Sequence, residues 1–254
     1  METTRQDDSR SDDTEALKVV AESLARLTRE LRNEPPDVGL KQVVDLAATE
    51  LVGARWASIT VLRRGAFQTI ARNEPVADEI DLTQYKTGIG PCVDAVIEDS
   101  TYVTGDIARE ARWQPLGRQL KERFGVHSML AYRLHLLDES EAIAGLNLST
   151  DEADAFDTAD LHRGRVLATH CALLVTASLA QDKATHLLRA LESNREIGVA
   201  IGVLMARHQL TRDQAFDVLR VASQRNNRKL IDIAVEVADT GLAPPGVAEG
   251  AEGL

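Results

Sequence analysis

REIGVAIGVLMARHQLTRDQAFDVLRVASQRNNRKLIDIAVEVADTG, residues 195–241, is the stretch that decides the fold of the carboxyl-terminal part of this chain. Its apolar residues recur at helical spacing, with two interruptions. The first interruption ends at Thr211, which has Gln214 three residues later, as in a capping box. The second is the pair Asn226–Asn227, and Gly241 follows the last helical repeat. The stretch therefore predicts three helices.

Basic residues are concentrated where the second of these helices turns into the third. The window 218–231 contains no carboxylate and four cations, Arg220, Arg225, Arg228 and Lys229. The whole protein has a formal net charge of −11. Residues 1–194 hold 22 basic and 32 acidic side chains, whereas residues 195–242 hold seven basic and six acidic ones. A local cationic patch on an acidic protein attracts polyanions, so the asymmetry predicts two modules with different functions.

The composition predicts a soluble protein in a reducing compartment. A length of 254 residues allows one large domain or two smaller ones, and 44% apolar residues are enough for a core. The two cysteines, Cys92 and Cys171, do not form a disulfide framework. The acidic amino terminus is not a secretory signal, and no run approaches the roughly 18 apolar residues of a membrane span. We therefore expect a cytoplasmic protein without membrane contact.

The first two thirds of the chain predict an α+β domain with an antiparallel sheet and flanking helices. Residues 1–13 are expected to be disordered. Helices are expected at about residues 13–32, 37–51, 91–98 and 114–124. Alternating apolar residues predict strands over residues 56–62, 66–72, 101–104, 127–137 and 142–149. The intervening residues 73–90 contain few apolar side chains and are expected to be irregular.

A long, coiled-coil-like helix is expected from about residue 157 onward. Its apolar residues are spaced alternately four and three apart, as in a heptad seam: Leu173, Ala177, Ala180, Ala184, Leu187 and Leu191. The same spacing continues to Asn194, Gly198, Ile201 and Met205. A compact domain alone cannot cover so long a seam, so we expect a partner helix from the same chain or from a second subunit. The alternative is an ordinary helix at the edge of a domain.

Residues 195–242 resemble the ANTAR family of three-helix, RNA-binding antitermination modules. The resemblance rests on Ile197-Gly198, Gly202, Leu204-Met205-Ala206-Arg207, Leu210-Thr211, Ala215-Phe216, Leu219-Arg220, Ala222-Ser223 and Asn227-Arg228-Lys229-Leu230. It implies a dimer that binds paired hairpins in nascent mRNA, prevents a terminator stem from forming and receives a signal from an upstream domain. Ile201 stands where many members carry Lys, so a contact made by that Lys would be absent here.

Residues from about 14 to 184 resemble the GAF domain, a sensor fold for small molecules. The resemblance rests on Gly88-Ile89-Gly90-Pro91-Cys92, Asp106-Ile107-Ala108, Ser128-Met129-Leu130, Ala144-Gly145-Leu146-Asn147-Leu148 and Ala155-Phe156-Asp157. Together the two resemblances imply a GAF–ANTAR regulator of the actinobacterial kind. Its expected parts are a GAF domain over residues 14–184, an ANTAR domain over residues 185–242 and a disordered tail over residues 243–254. It would form a homodimer and bind an unidentified small molecule.

The basic window and the resemblance together predict an RNA-binding surface. Its expected members are Arg207, Arg220, Gln224, Arg225, Asn226, Asn227, Arg228 and Lys229. The cations would contact phosphates, arginines can also lie on unstacked loop bases, and the amides would hydrogen-bond base edges. The alternative is a solvated helix surface, because basic runs alone are weak evidence. Phe216, the module's only aromatic residue, is expected in the core, so that readout would not use aromatic stacking.

Cys92 indicates a possible sensor pocket, as a redox-active or ligand-sensing thiol. The favoured alternative is a small buried residue at a helix start. The six histidines show no metal-ligand spacing, and no phosphate-binding glycine loop or Ser/His/Asp set is present. We therefore expect no catalytic site, metal or cofactor. Two alternatives to RNA binding stay open: carboxyl-terminal helices that dock a protein partner, and a DNA-binding helix-turn-helix.

Overall fold

The computed structural model describes residues 18, 20–26, 29, 34–50, 54–140 and 142–244. The chain divides into two compact units with a boundary between Gln181 and Asp182. The disorder expected for residues 1–13 and for the end of the tail lies outside the described residues. Part of the first expected helix does too, but its residues 20–26 are helical.

The N-terminal unit is built on a five-stranded sheet in the order β2-β1-β5-β4-β3, with all neighbouring strands antiparallel. The strands are β1 Trp56–Arg63, β2 Ala66–Arg72, β3 Tyr102–Thr104, β4 Ser128–Leu134 and β5 Ala142–Thr150. The helices are α1 Pro36–Glu50, α2 Pro75–Thr87, α3 Pro91–Glu98 and α4 Leu116–Phe124, with a short 3-10 helix at Ala111–Trp113. The α+β class expected from the sequence is confirmed.

Both faces of this sheet are covered. On one face, α1 and residues 20–26 pack with the strands and with the start of the following long helix, in a core that includes Val44, Ile59 and Leu167. On the other face, α2 lies against β1 and β2. Ser58 and Thr60 alternate with the apolar residues of β1, yet they are buried as well. The sheet therefore has a polar interior on the side of α2.

Residues 73–90 were expected to be irregular, and this expectation is wrong, because α2 occupies most of them. Its boundaries follow ordinary rules, with Pro75 in the first turn and Gly88 in the left-handed conformation (φ 69°) at the end. The Gly88 amide donates to the carbonyl of Gln84. Three of the five buried residues of this helix are polar, which is why apolar periodicity missed it: Ala77, Ile80, Asp81, Thr83 and Gln84.

Three helices end the described chain: α5 Thr158–His208, α6 Arg212–Asn226 and α7 Leu230–Thr240. The capping box at the start of α6 is confirmed, since the Gln214 amide donates to Thr211 Oγ1 at 3.3 Å and Gln214 Oε1 accepts from the Thr211 amide at 2.9 Å. The core of the C-terminal unit is aliphatic: Ala200, Ile201, Leu204, Ala215, Leu219, Ala222, Ile233, Ala234 and Val237.

Two expectations for this unit are wrong. Phe216 is 42% exposed rather than buried, because Ala215 and Leu219 face the core and position 216 lies about 100° further around α6. Ile201 does not extend the exposed heptad seam, since it is 9% exposed and packs in the unit's own core. An apolar residue at position 201 therefore has a packing role here.

Candidate functional site

The turn between α6 and α7 presents six consecutive exposed residues, Gln224–Lys229. Asn227 adopts the left-handed conformation (φ 48°) that ends α6. Ser223 fixes the turn from both sides, because its carbonyl accepts from the Arg228 amide at 3.1 Å and its hydroxyl donates to the Arg228 carbonyl at 2.6 Å. Asn226 Nδ2 donates to the carbonyl of Ala222 at 2.9 Å. The backbone is thus held while the long side chains reach solvent.

Two of the predicted cations form ion pairs at the surface. Arg220 Nη2 lies 2.8 Å from Asp217 Oδ1, and Arg228 Nη1 lies 2.7 Å from Glu236 Oε2. The side chains of Arg220 and Arg228 are 48% and 44% exposed, and their partners are exposed as well. Exposed pairs of this kind contribute only about 0–1 kcal/mol. Both arginines can therefore exchange their carboxylate for a phosphate at little cost.

Lys229 occupies the N-cap position of α7 without a capping hydrogen bond from its side chain. The helix dipole disfavours a cation at this end, and the first-turn amides add to the positive potential. Asp232 in the first turn of α7 offsets part of it. The local field at the turn still favours an anion, and Lys229 is exposed to contact one.

Arg207 does not join this cluster. Its guanidinium lies beside Gly241, where an added Cβ would come within 2.9 Å of Arg207 Cζ. Gly241 caps the carboxyl end of α7, whereas Lys229 caps the amino end. The 11 residues of α7 separate the two ends by about 16 Å. The structure therefore brings Gln224–Lys229 together, with Arg220 about one turn before Gln224 on α6, and places Arg207 elsewhere.

All six residues of the predicted heptad seam are exposed in the single chain. The leucines are the clearest cases, with Leu173 53%, Leu187 59% and Leu191 65% exposed. Large apolar side chains on one helical stripe are usually covered by a partner.

Cys92 lies in a closed polar cluster inside the N-terminal unit. Its thiol donates to Asp81 Oδ1 at 3.2 Å and accepts from Gln84 Nε2 at 3.0 Å, and its amide donates to Gln84 Oε1 at 3.0 Å. Gly90 (φ 132°) permits this fit, since an added Cβ would lie 2.3 Å from Gln84 Oε1. Cys92 and Gln84 are fully buried.

The cluster continues across the sheet to β5. Asn147 Nδ2 donates to Thr60 Oγ1 at 2.7 Å and to Ser58 Oγ at 3.1 Å, and lies 3.4 Å from Asp81 Oδ1. Thr69 Oγ1 donates to Asp81 Oδ2 at 2.9 Å. The Tyr85 hydroxyl hydrogen-bonds to the hydroxyls of Thr60 and Thr69. Asn147 Oδ1 is buried with no hydrogen-bond partner in the described residues.

Burial dominates the electrostatics of this cluster. It raises the pKa of Asp81 from 3.8 to about 6, although hydrogen bonds from Ser58, Cys92 and Thr69 oppose the shift. Burial, followed by the charge of Asp81, raises the pKa of Cys92 well above its usual value. A helix start alone would lower it. Cys92 is therefore a protonated, shielded thiol, which is the opposite of a redox-active cysteine.

Sequence reasoning found Cys92 but not the residues around it. Asp81 and Gln84 lie in the segment expected to be irregular, and the alternation of Ser58 and Thr60 with apolar residues predicted a strand but not the burial of these two side chains. The proline and glycine at the ends of α2 were the available signal for the helix.

A separate cavity of about 340 Å³ lies beside β4 and α5 in the same unit. Among its lining residues are Arg133, His135 and Arg165, together with Leu173 at the start of the seam. Arg133 is 8% exposed in its side chain and pairs with Glu139 at 2.9 Å. The cavity is large enough for a small ligand, by its volume alone.

With this geometry in place, comparison with known proteins gives the family. The model of the GAF domain matches residues 34–176, which is more than half of the chain. The chain belongs to the GAF domain family. The model of the ANTAR domain matches residues 185–237, so the architecture is a GAF domain followed by an ANTAR domain. The GAF–ANTAR assignment made from the sequence is confirmed, and the chain is a signal-regulated regulator of the ANTAR type.

Three solved structures are similar to part of this chain. The GAF domain of a phosphoenolpyruvate-protein phosphotransferase from Coxiella burnetii has a TM-score of 0.51 and 16% identity, over 66% of this chain and 98% of that chain. A putative GAF sensor protein from Burkholderia vietnamiensis has a TM-score of 0.46 and 17% identity, over 67% and 98%. Free methionine-R-sulfoxide reductase from Neisseria meningitidis has a TM-score of 0.47 and 16% identity, over 65% and 93%. The first likeness shows the fold and not a function, and no curated protein matches this chain.

None of the described helices combines the length and the hydropathy that a membrane span requires. No group of three or more His, Cys, Asp or Glu side chains in the described part of the chain could hold a metal ion.

Proposed function

We propose that this protein is a signal-responsive transcription antiterminator that binds paired hairpins in nascent mRNA through its ANTAR domain. The observation that carries the proposal is the turn Gln224–Lys229. It presents six exposed residues in a row, three of them cations and none of them a carboxylate. RNA loops are recognised by phosphate contacts, by hydrogen bonds to base edges and by stacking on arginine, and this turn supplies the side chains for each.

The dimer is the second part of the proposal. Two copies would pair through the exposed seam from Leu173 to Leu191, so that each dimer carries two RNA-binding turns. Paired hairpins on one transcript would then bind with the advantage of two linked sites. This explains the seam's exposure without requiring a partner of another kind.

Signal input would act on the same helix. The cavity beside α5 is lined by Arg165 and by Leu173, the first seam residue. A small molecule bound there would contact α5 directly and change how the seam pairs. Two pairing states of the seam would set the spacing of the two turns, and the ligand would favour one state by binding it more tightly.

The proposal is tested by binding of the full-length protein to RNA. The wild-type chain would select ligands from a pool of two-hairpin RNAs with randomised loops, and the affinities would be measured by filter binding at several salt concentrations. Replacing both Arg228 and Lys229 with Ala should weaken binding and reduce the slope of log affinity against log salt by about 1 for each lost phosphate contact.

A matched control changes the same charge elsewhere. Arg189 and Arg195 are exposed cations on α5, and their double Ala variant should bind RNA nearly as the wild type does. Equal losses in the two double variants would show only general electrostatic attraction. A wild-type chain that selects no RNA, or that selects duplex DNA more tightly than hairpins, would contradict the proposal. Capture of a protein instead of RNA would favour the docking alternative.

A further inference from the structure

We propose that the ring of Phe216 is a stacking platform for an unpaired base of the bound RNA loop. This inference rests on the proposed function and names one residue that would contact a base. Phe216 is 42% exposed on α6, and residues 182–254 contain no other Phe, Tyr or Trp. The ring is therefore the only large aromatic surface that the C-terminal unit offers.

The aliphatic core of the unit does not include this ring. That core consists of Ala, Ile, Leu and Val side chains, and α6 contributes Ala215, Leu219 and Ala222 to it. Phe216 lies on the neighbouring face of the helix, where a polar residue would be compatible with the same packing. The exposed part of the ring is apolar surface in contact with water, and a stacked base would remove it from water. The exposed ring is accounted for if a ligand covers it.

The neighbours of Phe216 indicate which ligand that is. Arg212 and Arg220 lie one turn before and one turn after it, so that the three side chains form one ridge on α6. Both arginines are exposed, and Arg220 pairs with Asp217 at the surface. A flat ring between two cations matches an unstacked nucleotide, whose base stacks while the adjoining phosphates contact arginine.

The same helix ends at the proposed phosphate-binding turn. Phe216 and Asn227 are 11 residues apart, which is about 16 Å along α6. A hairpin loop of several nucleotides can extend over this distance. The ring and the arginines together favour RNA over an acidic protein segment, because a nucleotide supplies both a base that stacks on the ring and a phosphate that contacts an arginine.

The test compares substitutions at Phe216 in the full-length chain, with the two-hairpin RNA selected by the wild type. Phe216→Tyr should bind as the wild type does, since it keeps a ring. Phe216→Leu keeps apolar volume but no ring, and should weaken binding by about 5- to 150-fold, the range for loss of one stacked base. The salt dependence should stay unchanged in Phe216→Leu, because no phosphate contact is removed.

A spectroscopic readout locates the stacked base. The two natural tryptophans, Trp56 and Trp113, are buried in the GAF domain. Phe216→Trp therefore adds one exposed indole in the C-terminal unit, and its fluorescence should be quenched by the RNA. Replacing the loop nucleotides one at a time with abasic sugars should abolish the quenching at one position. The wild-type chain, titrated with the same RNA, is the control for its natural tryptophans.

The outcomes separate this inference from the proposed function. Binding of Phe216→Leu within about twofold of the wild type would overturn the platform and leave RNA binding by the turn intact. Quenching that no abasic substitution relieves would also overturn it. A change in oligomeric state without a change in RNA affinity would assign the ring to a protein contact and overturn it as well. If the wild type binds no RNA, both proposals are wrong.

Discussion

The Cys92 thiol donates a hydrogen bond of 3.2 Å to the carboxylate of Asp81, and both side chains are buried between the sheet and α2 of the GAF domain. Among the described residues, no cation forms an ion pair with Asp81. A buried carboxylate without such a partner is neutralised by a proton more easily than one in water. The free energy of unfolding of the GAF domain should therefore depend on pH.

The first prediction concerns the stability of the GAF domain against pH. The pKa of Asp81 is about 6 in the folded state and about 3.8 when exposed, so the folded state binds the proton more tightly. The stabilising contribution of that proton is present below about pH 4 and is lost as the pH rises through 6. At about 1.4 kcal/mol per pKa unit, the loss is about 3 kcal/mol.

Replacing Asp81 with Asn removes this titration. The free energy of unfolding of Asp81→Asn, relative to the wild type, should rise by about 2–3 kcal/mol between pH 4 and pH 7.5. Urea unfolding followed by tryptophan fluorescence reports this domain, because Trp56 and Trp113 both lie in it. Glu79→Gln, on the same helix, controls for loss of a carboxylate from α2, because Glu79 is exposed and does not shift the pKa of Asp81. A relative stability that is equal at the two pH values would contradict the assignment.

The second prediction concerns thiol reactivity. Burial raises the pKa of both cysteines, to about 12 for Cys171 and well above its usual value for Cys92. Since the thiolate is the reactive form, iodoacetamide at pH 8 should alkylate the native chain far more slowly than free cysteine. Mass spectrometry after timed quenching measures the rate at each site, and the urea-unfolded chain is the control. Rapid alkylation of Cys92 in the native chain would restore the redox alternative.

The third prediction concerns the dimer. Leu187 and Leu191 are 59% and 65% exposed, so replacing both with Glu should leave the fold of one chain unchanged while placing charges in the seam. Sedimentation equilibrium should then show a monomer where the wild type is a dimer, and RNA affinity should fall because only one turn is presented.

A neighbouring leucine provides the control for this variant. Leu188 is 61% exposed but flanks the seam, at a heptad position where charged residues are common. Leu188→Glu should therefore remain dimeric. Dissociation by both variants alike would show that surface hydrophobicity and not the heptad seam holds the dimer. A wild-type chain that is monomeric at all concentrations would contradict the seam itself.

Local signals explain what the sequence predicted well. The helices of the ANTAR domain begin or end at residues that interact with the backbone of the nearest helical turn. Examples are the Thr211–Gln214 capping box at the start of α6 and Gly241 at the end of α7. The boundaries of α6 and α7 determine where the turn between them lies, so the sequence was sufficient to predict its residues Gln224–Lys229. Periodicity also located the strands of the sheet to within a few residues.

Tertiary packing explains what the sequence did not predict. The helix α2 buries Asp81 and Gln84, and their burial depends on partners from β2, α3 and β5. Arg207 reaches the end of α7 only because α5 and α7 belong to one packed unit. Phe216 is next to Ala215 in sequence, and only the packing of α6 shows which of the two faces the core.

The last prediction concerns two glycines on the exposed side of α5. Gly198 and Gly202 are one turn apart inside the helix, both exposed, and an added Cβ would meet nothing within 4 Å at either position. Glycine in a helix interior costs about 0.5–1 kcal/mol relative to Ala. Gly202→Ala should therefore stabilise the C-terminal unit by about that amount in thermal unfolding followed by circular dichroism. Gly241→Ala should destabilise it, because Gly241 has φ 68° and its Cβ would contact the Arg207 guanidinium.

The dimer dissociation constant of Gly202→Ala tests whether a partner helix approaches α5 closely at this glycine. Within one chain the methyl group has room, so any loss of function must come from a partner that approaches the helix closely. If α5 pairs at this level in the dimer, Gly202→Ala should raise the dissociation constant in sedimentation while the chain becomes more stable. If stability and dimer affinity rise together, no backbone of a partner approaches Gly202. The paired part of α5 would then extend no further than about Leu191.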